Sequence, residues 1–163
     1  MKVRRAELKN GGGMRFLART ATGRELVFGD ARELNEHSPM ELVTTALAAC
    51  SAMDVASILV KKRQVVDSYV VRVEGVQRDE YPQVLARVDV VHEVVGPDVT
   101  EEAVRRCIEL SATKYCPVNA MISAGATEVH HRYVVRCTGP VPVEASGEVI
   151  VTGPARAPAI LAD

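Results

Sequence analysis

The sequence predicts a single domain that mixes strands and helices. Three observations carry that reading. The chain has 163 residues, of which 47% are hydrophobic and 25% charged, the size and balance of one globular domain. Its first third is built of short, loosely alternating segments that read as strands. A long and almost uncharged helix follows, with further strands and a second helix behind it. Twenty basic against 21 acidic side chains leave a formal charge of -1, which offers no general attraction to nucleic acid or to an anionic membrane. Residues 1–7 carry Lys2, Arg4 and Arg5 but no apolar stretch, so no secretory signal is read and the expected location is cytoplasmic.

The first strand is expected over residues 3–8, and Gly11-Gly12-Gly13 marks the turn after it. No Lys-Ser/Thr follows that triplet, so it reads as a turn and not as a phosphate loop. Residues 14–20 and 24–28 alternate around Thr22-Gly23, which predicts a hairpin. A polar loop over residues 29–37 leads to Ser38-Pro39-Met40-Glu41. Serine at N-cap, proline at N1 and glutamate at N3 make a capping box, with proline placed where its missing N–H costs nothing. From residue 42 to residue 60 the only formal charge is Asp54, and Lys61-Lys62-Arg63 suits the negative end of the helix dipole. A helix of about 25 residues is about 37 Å long. A run this apolar raises the question of a membrane span. Its Thr44, Thr45, Ser51, Asp54 and Ser57, with abundant alanine, fit burial in a soluble protein instead. Apolar nearly all round, such a helix needs cover on several sides, more than one small chain supplies, which points to a dimer.

Strands are expected over residues 68–74 and 84–95, the second broken by Gly96-Pro97. A helix is expected over residues 98–114, capped by Asp98 or Thr100, with Val104, Cys107, Ile108, Ser111 and Ala112 forming a buried stripe. Pro117 interrupts it and starts a short helix through Ile122, placing Cys116 at N-cap. Another strand spans residues 127–137. The tail from Thr138 holds four prolines and one weak strand pair, with a frayed end over residues 155–163.

Four cysteines in a reducing compartment are metal ligands, reactive thiols or packing. The spacing of Cys50, Cys107, Cys116 and Cys137 contains no C-x-x-C, which argues against a zinc knuckle or a thioredoxin-type pair. Cys50, Asp54, Ser57 and Lys61 share one helix face, a polar stripe that needs a reason. As a lone mid-helix residue Cys50 also reads as a small buried hydrophobe, and Asp54 beside it disfavours a thiolate. Cys116, at a helix N-terminus, has the more favourable local electrostatics for a thiolate. Cys107 and Cys137 read as structural. His130 and His131 point to opposite faces of a strand, and His92 falls among valines; none is expected to bind metal. Glu41 is explained by the capping box.

Two segments together, Ser38-Pro39-Met40-Glu41-Leu42 with Ala48-Ala49-Cys50-Ser51, and Tyr115-Cys116-Pro117-Val118-Asn119-Ala120, resemble the OsmC/Ohr superfamily of osmotically inducible and organic-hydroperoxide-resistance proteins. The element order agrees over residues 1–137, read as one OsmC-like domain, with residues 138–163 as a partly flexible C-terminal extension. The resemblance implies an α+β fold: an intertwined homodimer with antiparallel sheets wrapped around long central helices. It also implies that Cys50 attacks a peroxide oxygen and becomes a sulfenic acid, that Cys116 resolves it as a disulfide, and that a dithiol such as a lipoyl protein reduces the disulfide. No metal or organic cofactor is implied. This chain departs from the peroxidases at Met40, where they carry the glutamate that orients a catalytic arginine; Glu41 stands one position later. Arg32, then Arg15 and Arg24, are the candidates for that arginine. The expected function is reduction of organic hydroperoxides. The alternative is a non-enzymatic OsmC-like protein that binds a small molecule in an apolar cleft at the dimer interface.

Overall fold

Residues 2–30, 33 and 35–154 are described by a computed structural model, and their fold is α+β. Two compact units divide the chain, residues 1–43 and residues 44–163.

The first unit is a three-stranded antiparallel sheet in sequence order, β1 (Ala6–Asn10), β2 (Phe16–Thr20) and β3 (Glu25–Phe28). Gly12 and Gly13 take positive φ in the first turn, a conformation that glycine adopts without strain. The Asn10 side chain closes the turn, accepting from the Gly12 N–H and donating to the Gly13 carbonyl. The expected hairpin around Thr22-Gly23 is present, with strand ends shifted by one or two residues.

Helix α1 (Pro39–Lys61) starts at the capping box. The Ser38 N–H donates to Glu41 Oε2 at 2.8 Å, and Ser38 Oγ accepts from the Glu41 N–H at 3.2 Å. By length and composition α1 could cross a bilayer, and one line of its residues enters the core. Leu47, Ser51, Val55 and Leu59, spaced by four, are buried in the second unit, and Val55 and Leu59 pack with Val94, Val104, Ile108 and Val135. Its other faces are open: Met53 is 74% and Val60 75% exposed.

The second unit carries a four-stranded sheet ordered β4 (Ser68–Gln77), β5 (Leu85–Gly96), β6 (Glu128–Cys137) and β7 (Val143–Thr152). One expectation is corrected here, because the sheet is mixed and not wholly antiparallel: β5 and β6 run parallel. Parallel neighbours need a long crossover, and α2 (Glu101–Leu110), a π-helical turn (Ser111–Tyr115) and α3 (Pro117–Ser123) provide it. The helix expected over residues 98–114 is therefore an α-helix capped by Thr100 Oγ1, followed by the π turn. Its predicted stripe, Val104, Cys107, Ile108, Ser111 and Ala112, is buried. The last residue of β5 must be glycine, because a Cβ at Gly96 would lie 2.0 Å from the Val65 carbonyl oxygen. The weak pairing expected beyond Thr138 is a full ten-residue edge strand, β7, antiparallel to β6. Residues 155–163, where a frayed end is expected, lie outside the described residues.

Candidate active site

Cys50 and Asp54 stand four residues apart on α1 and therefore one above the other on one face. Cys116 arrives from the far side of the crossover as the N-cap of α3. The two sulfurs and a carboxylate oxygen of Asp54 all lie within 4.8 Å of one another. Cys50 is half-buried and Cys116 only 3% exposed, and both are free thiols. The predicted polar stripe also has a setting: Asp54, Ser57 and Lys61 line a cleft of about 240 Å³ with Tyr115.

Local structure fixes Cys116 from both sides. The π turn closes through the Cys116 N–H, which donates to the Ser111 carbonyl at 2.9 Å. The chain then leaves helical geometry, as the residue before a proline must, and Pro117 opens α3. The Asn119 N–H donates to Cys116 Sγ at 3.3 Å. The dipole argument that favoured a Cys116 thiolate does not prevail. Burial pushes this thiol up to about 12, and a hydrogen bond to Cys50 adds in the same direction against the opposing Asn119 N–H. Cys116 is a protonated thiol at neutral pH. Cys107 is buried in the core, where burial raises its thiol to about 11. Cys137 is part-buried, against the Pro97 carbonyl. Both sit where packing residues belong.

Beneath the cysteines runs a polar network that single-residue reasoning missed. The Ser111 hydroxyl reaches Asp54 Oδ2 at 3.1 Å and Ser51 Oγ at 3.4 Å. Ser51 Oγ lies 3.4 Å from His92 Nε2, and the Tyr69 hydroxyl 2.7 Å from His92 Nδ1. Burial raises the Tyr69 phenol far above its ordinary value, so its O–H donates to Nδ1 and the Nε2–H faces Ser51. His92 stacks on His131, whose Nε2 donates to Asn119 Oδ1 at 3.0 Å. Asn119 Nδ2 in turn donates to the Ala112 carbonyl and to Thr152 Oγ1. Burial holds His92 down to about 3 and His131 to about 4, so both rings are neutral. The signal for them was in the sequence. Val88, Val90, His92 and Val94 alternate onto the buried face of β5, and Val129, His131, Tyr133 and Val135 onto that of β6. His130 points outward to Glu148 and Glu128.

Among the arginine candidates, Arg15 forms an ion pair with the nearly buried Glu36, Nε to Oε1 at 3.3 Å. Arg24 holds the β2–β3 turn through its backbone, and Arg32 lies outside the described residues. Arg15 and Arg24 belong to the first unit, Cys50 to the second.

Known proteins share the sequence and fold of this chain over much of its length. Residues 32–132 match the family described as OsmC-like protein. Protein YhfA of Escherichia coli K12 is 37% identical over 123 residues, covering 76% of this chain and 91% of the relative. A hypothetical protein from Aquifex aeolicus VF5 superimposes with a TM-score of 0.74 at 32% identity, over 83% of this chain and 97% of its own. An organic hydroperoxide resistance protein OsmC from Legionella pneumophila shares the fold, with a TM-score of 0.61 at 16% identity over 83% and 97% of the two chains.

Proposed function

The chain belongs to the OsmC-like family, and on that premise we propose that it is a homodimeric two-cysteine redox protein that reduces organic hydroperoxides. The observation that carries the reading is the pairing of Cys50 with Cys116, sulfurs within 4.8 Å in a half-buried setting. The Cys50 thiolate attacks the distal oxygen of ROOH; the O–O bond breaks, the alkoxide takes a proton and leaves as ROH, and Cys50 becomes a sulfenic acid. The Cys116 sulfur then attacks the Cys50 sulfur, an S–S bond forms, and the hydroxyl leaves as water with the Cys116 proton. A dithiol, lipoyl in type, returns both cysteines to thiols and is itself oxidised to a disulfide. A nearby resolving thiol keeps the attacking sulfur on the reversible rung of oxidation.

The division of labour follows from the environments. Cys116 is the more deeply buried and carries the proton, which suits a thiol that acts second. Cys50 is the one with access. Of the arginine candidates, Arg15 is the one paired with a carboxylate, that of Glu36 within the first unit.

The decisive measurement is consumption of cumene hydroperoxide with a lipoyl reductant or dithiothreitol. Cys50→Ser should abolish turnover. Cys116→Ser should allow one fast oxidation of Cys50 and then stall, with overoxidised Cys50 visible by mass spectrometry. Turnover unchanged in Cys50→Ser would falsify the assignment. The second reading, a binding protein without turnover, is favoured by Asp54, whose carboxylate sits beside both sulfurs and has no part in the peroxide chemistry. It predicts no consumption by the wild type under either reductant.

A further inference from the structure

The peroxide chemistry has no use for Asp54. Its carboxylate oxygen lies within 4.8 Å of both sulfurs, so that three ligand-type atoms converge on one spot. We propose that Cys50, Asp54 and Cys116 form a binding site for a borderline-soft divalent metal ion of the zinc type.

The three donor atoms have the spacing of a chelating set. Three atoms no more than 4.8 Å apart can all lie within about 2.8 Å of one point, and a small closure brings them to the Zn–S distance of about 2.3 Å and the Zn–O distance of about 2.1 Å. The donors also come in a chelating arrangement. Cys50 and Asp54 are an i, i+4 pair on a rigid helix, and Cys116 is the N-cap of a second helix. Two of the three are held by outer partners of the kind that orient metal ligands. The Ser111 hydroxyl donates to Asp54 Oδ2, and the Asn119 N–H donates to Cys116 Sγ. Two thiolates with one carboxylate select zinc over magnesium or calcium, which require all-oxygen shells. Three protein donors leave a fourth, tetrahedral position for water or a small ligand, which the cleft beside Asp54 can supply. Binding displaces the thiol protons to solvent and transfers no electrons. A chelated ion engages both thiols, so it blocks sulfenic acid and disulfide formation while it is bound.

The inference does not depend on the peroxide reading, since it needs only the donor geometry. The test is an anaerobic titration of the reduced, metal-free protein with Co²⁺, followed by displacement with Zn²⁺. A thiolate-to-cobalt absorption in the near ultraviolet should saturate at a single ion per chain and vanish as zinc replaces cobalt. Cys50→Ser and Cys116→Ser should each weaken binding by about tenfold or more. Asp54→Asn should weaken it similarly while both thiolates still contribute to the absorption. Cys137→Ser is the control and should bind as the wild type does. No thiolate-to-metal absorption at equimolar cobalt overturns the proposal, and so does wild-type affinity in either cysteine variant. Thermal melts of the metal-free variants report folding. If a cysteine variant does not fold, Asp54→Asn decides: undiminished affinity there overturns the site. Hydroperoxide consumption by the metal-free protein is measured in parallel. Activity without metal binding removes only this inference, and metal binding without activity removes only the peroxide reading.

Discussion

Asn119 joins the fold to the chemistry through five hydrogen bonds of one residue. Its side chain meets the Ala112 carbonyl at 2.8 Å, Thr152 Oγ1 at 3.2 and 3.3 Å and His131 Nε2 at 3.0 Å, while its N–H holds Cys116 Sγ. It is 1% exposed, so Asn119→Ala strands several buried partners away from water. The expected cost is about 1–3 kcal/mol of stability, read by urea denaturation, together with slower disulfide formation as Cys116 loosens; an unchanged midpoint would contradict the network. His92 and His131 add a pH dependence. An unfolded histidine takes up a proton near about 6.5, whereas these two are held by burial to about 3 and about 4. Below about pH 6.5 the unfolded chain therefore binds protons that the folded chain refuses. Stability is full above that pH and is lost as pH falls toward 4, by up to about tenfold in the folding equilibrium per pH unit for each ring. Denaturation midpoints at pH 7 and pH 5 should differ less in His92→Gln than in the wild type. Equal differences would show that the ring does not carry the effect.

At the scale of elements, the capping box and the π turn do the placing. The box sets where α1 begins, and with 3.6 residues per turn this decides which face Cys50 and Asp54 present. Ser38→Ala removes the acceptor for the Glu41 N–H and should cost about 1 kcal/mol, seen as a lowered melting temperature with the spectrum of the folded state retained. A melting temperature equal to wild type would mean that the helix start is held by other contacts. The π turn inserts one residue's worth of advance between α2 and Pro117. Its closing bond, Cys116 N–H to the Ser111 carbonyl, spans five residues and places the thiol at the lip of α3. Serine 111 thus serves twice, through its carbonyl to Cys116 and through its hydroxyl to Asp54.

For the whole molecule, the question is what covers α1. Only the Leu47, Ser51, Val55 and Leu59 line of it is buried, while Val43, Met53 and Val60 are 36%, 74% and 75% exposed. Apolar surface of this kind on one helix is costly to leave in water, and a second copy of the chain, as proposed, would remove it. Sedimentation should show a particle of twice the 17.6 kDa chain mass. Met53→Glu, which places a charge on the open face, should weaken that association by about tenfold or more without altering the fold of each chain. A wild-type protein that sediments at the mass of one chain would end the dimer proposal. It would also end the binding reading that places a cleft at the dimer interface.

Whatever depends on near neighbours along the chain is legible in the order of the amino acids. Ser38-Pro39-Met40-Glu41 wrote the start of α1, Gly96-Pro97 the end of β5, and Cys116-Pro117 the N-cap of α3, because caps and breaks act within four residues. The paired cysteine segments also made the family legible, and with it the α+β fold. Tertiary structure alone decided the rest. The parallel pairing of β5 with β6 depends on where a long crossover returns, which no local pattern encodes. The protonation of Cys116 depends on burial by distant residues, and burial outweighs the short helix whose dipole argued for a thiolate. His92 was legible as a residue in a strand, but its partners Tyr69, Ser51 and His131 come from elsewhere in the chain. Asp54 read as an oddity on an apolar helix until the fold brought Cys116 to it. Near-neighbour chemistry is written in sequence order; the electrostatics of a buried site are a sum over space, and only the folded chain performs that sum.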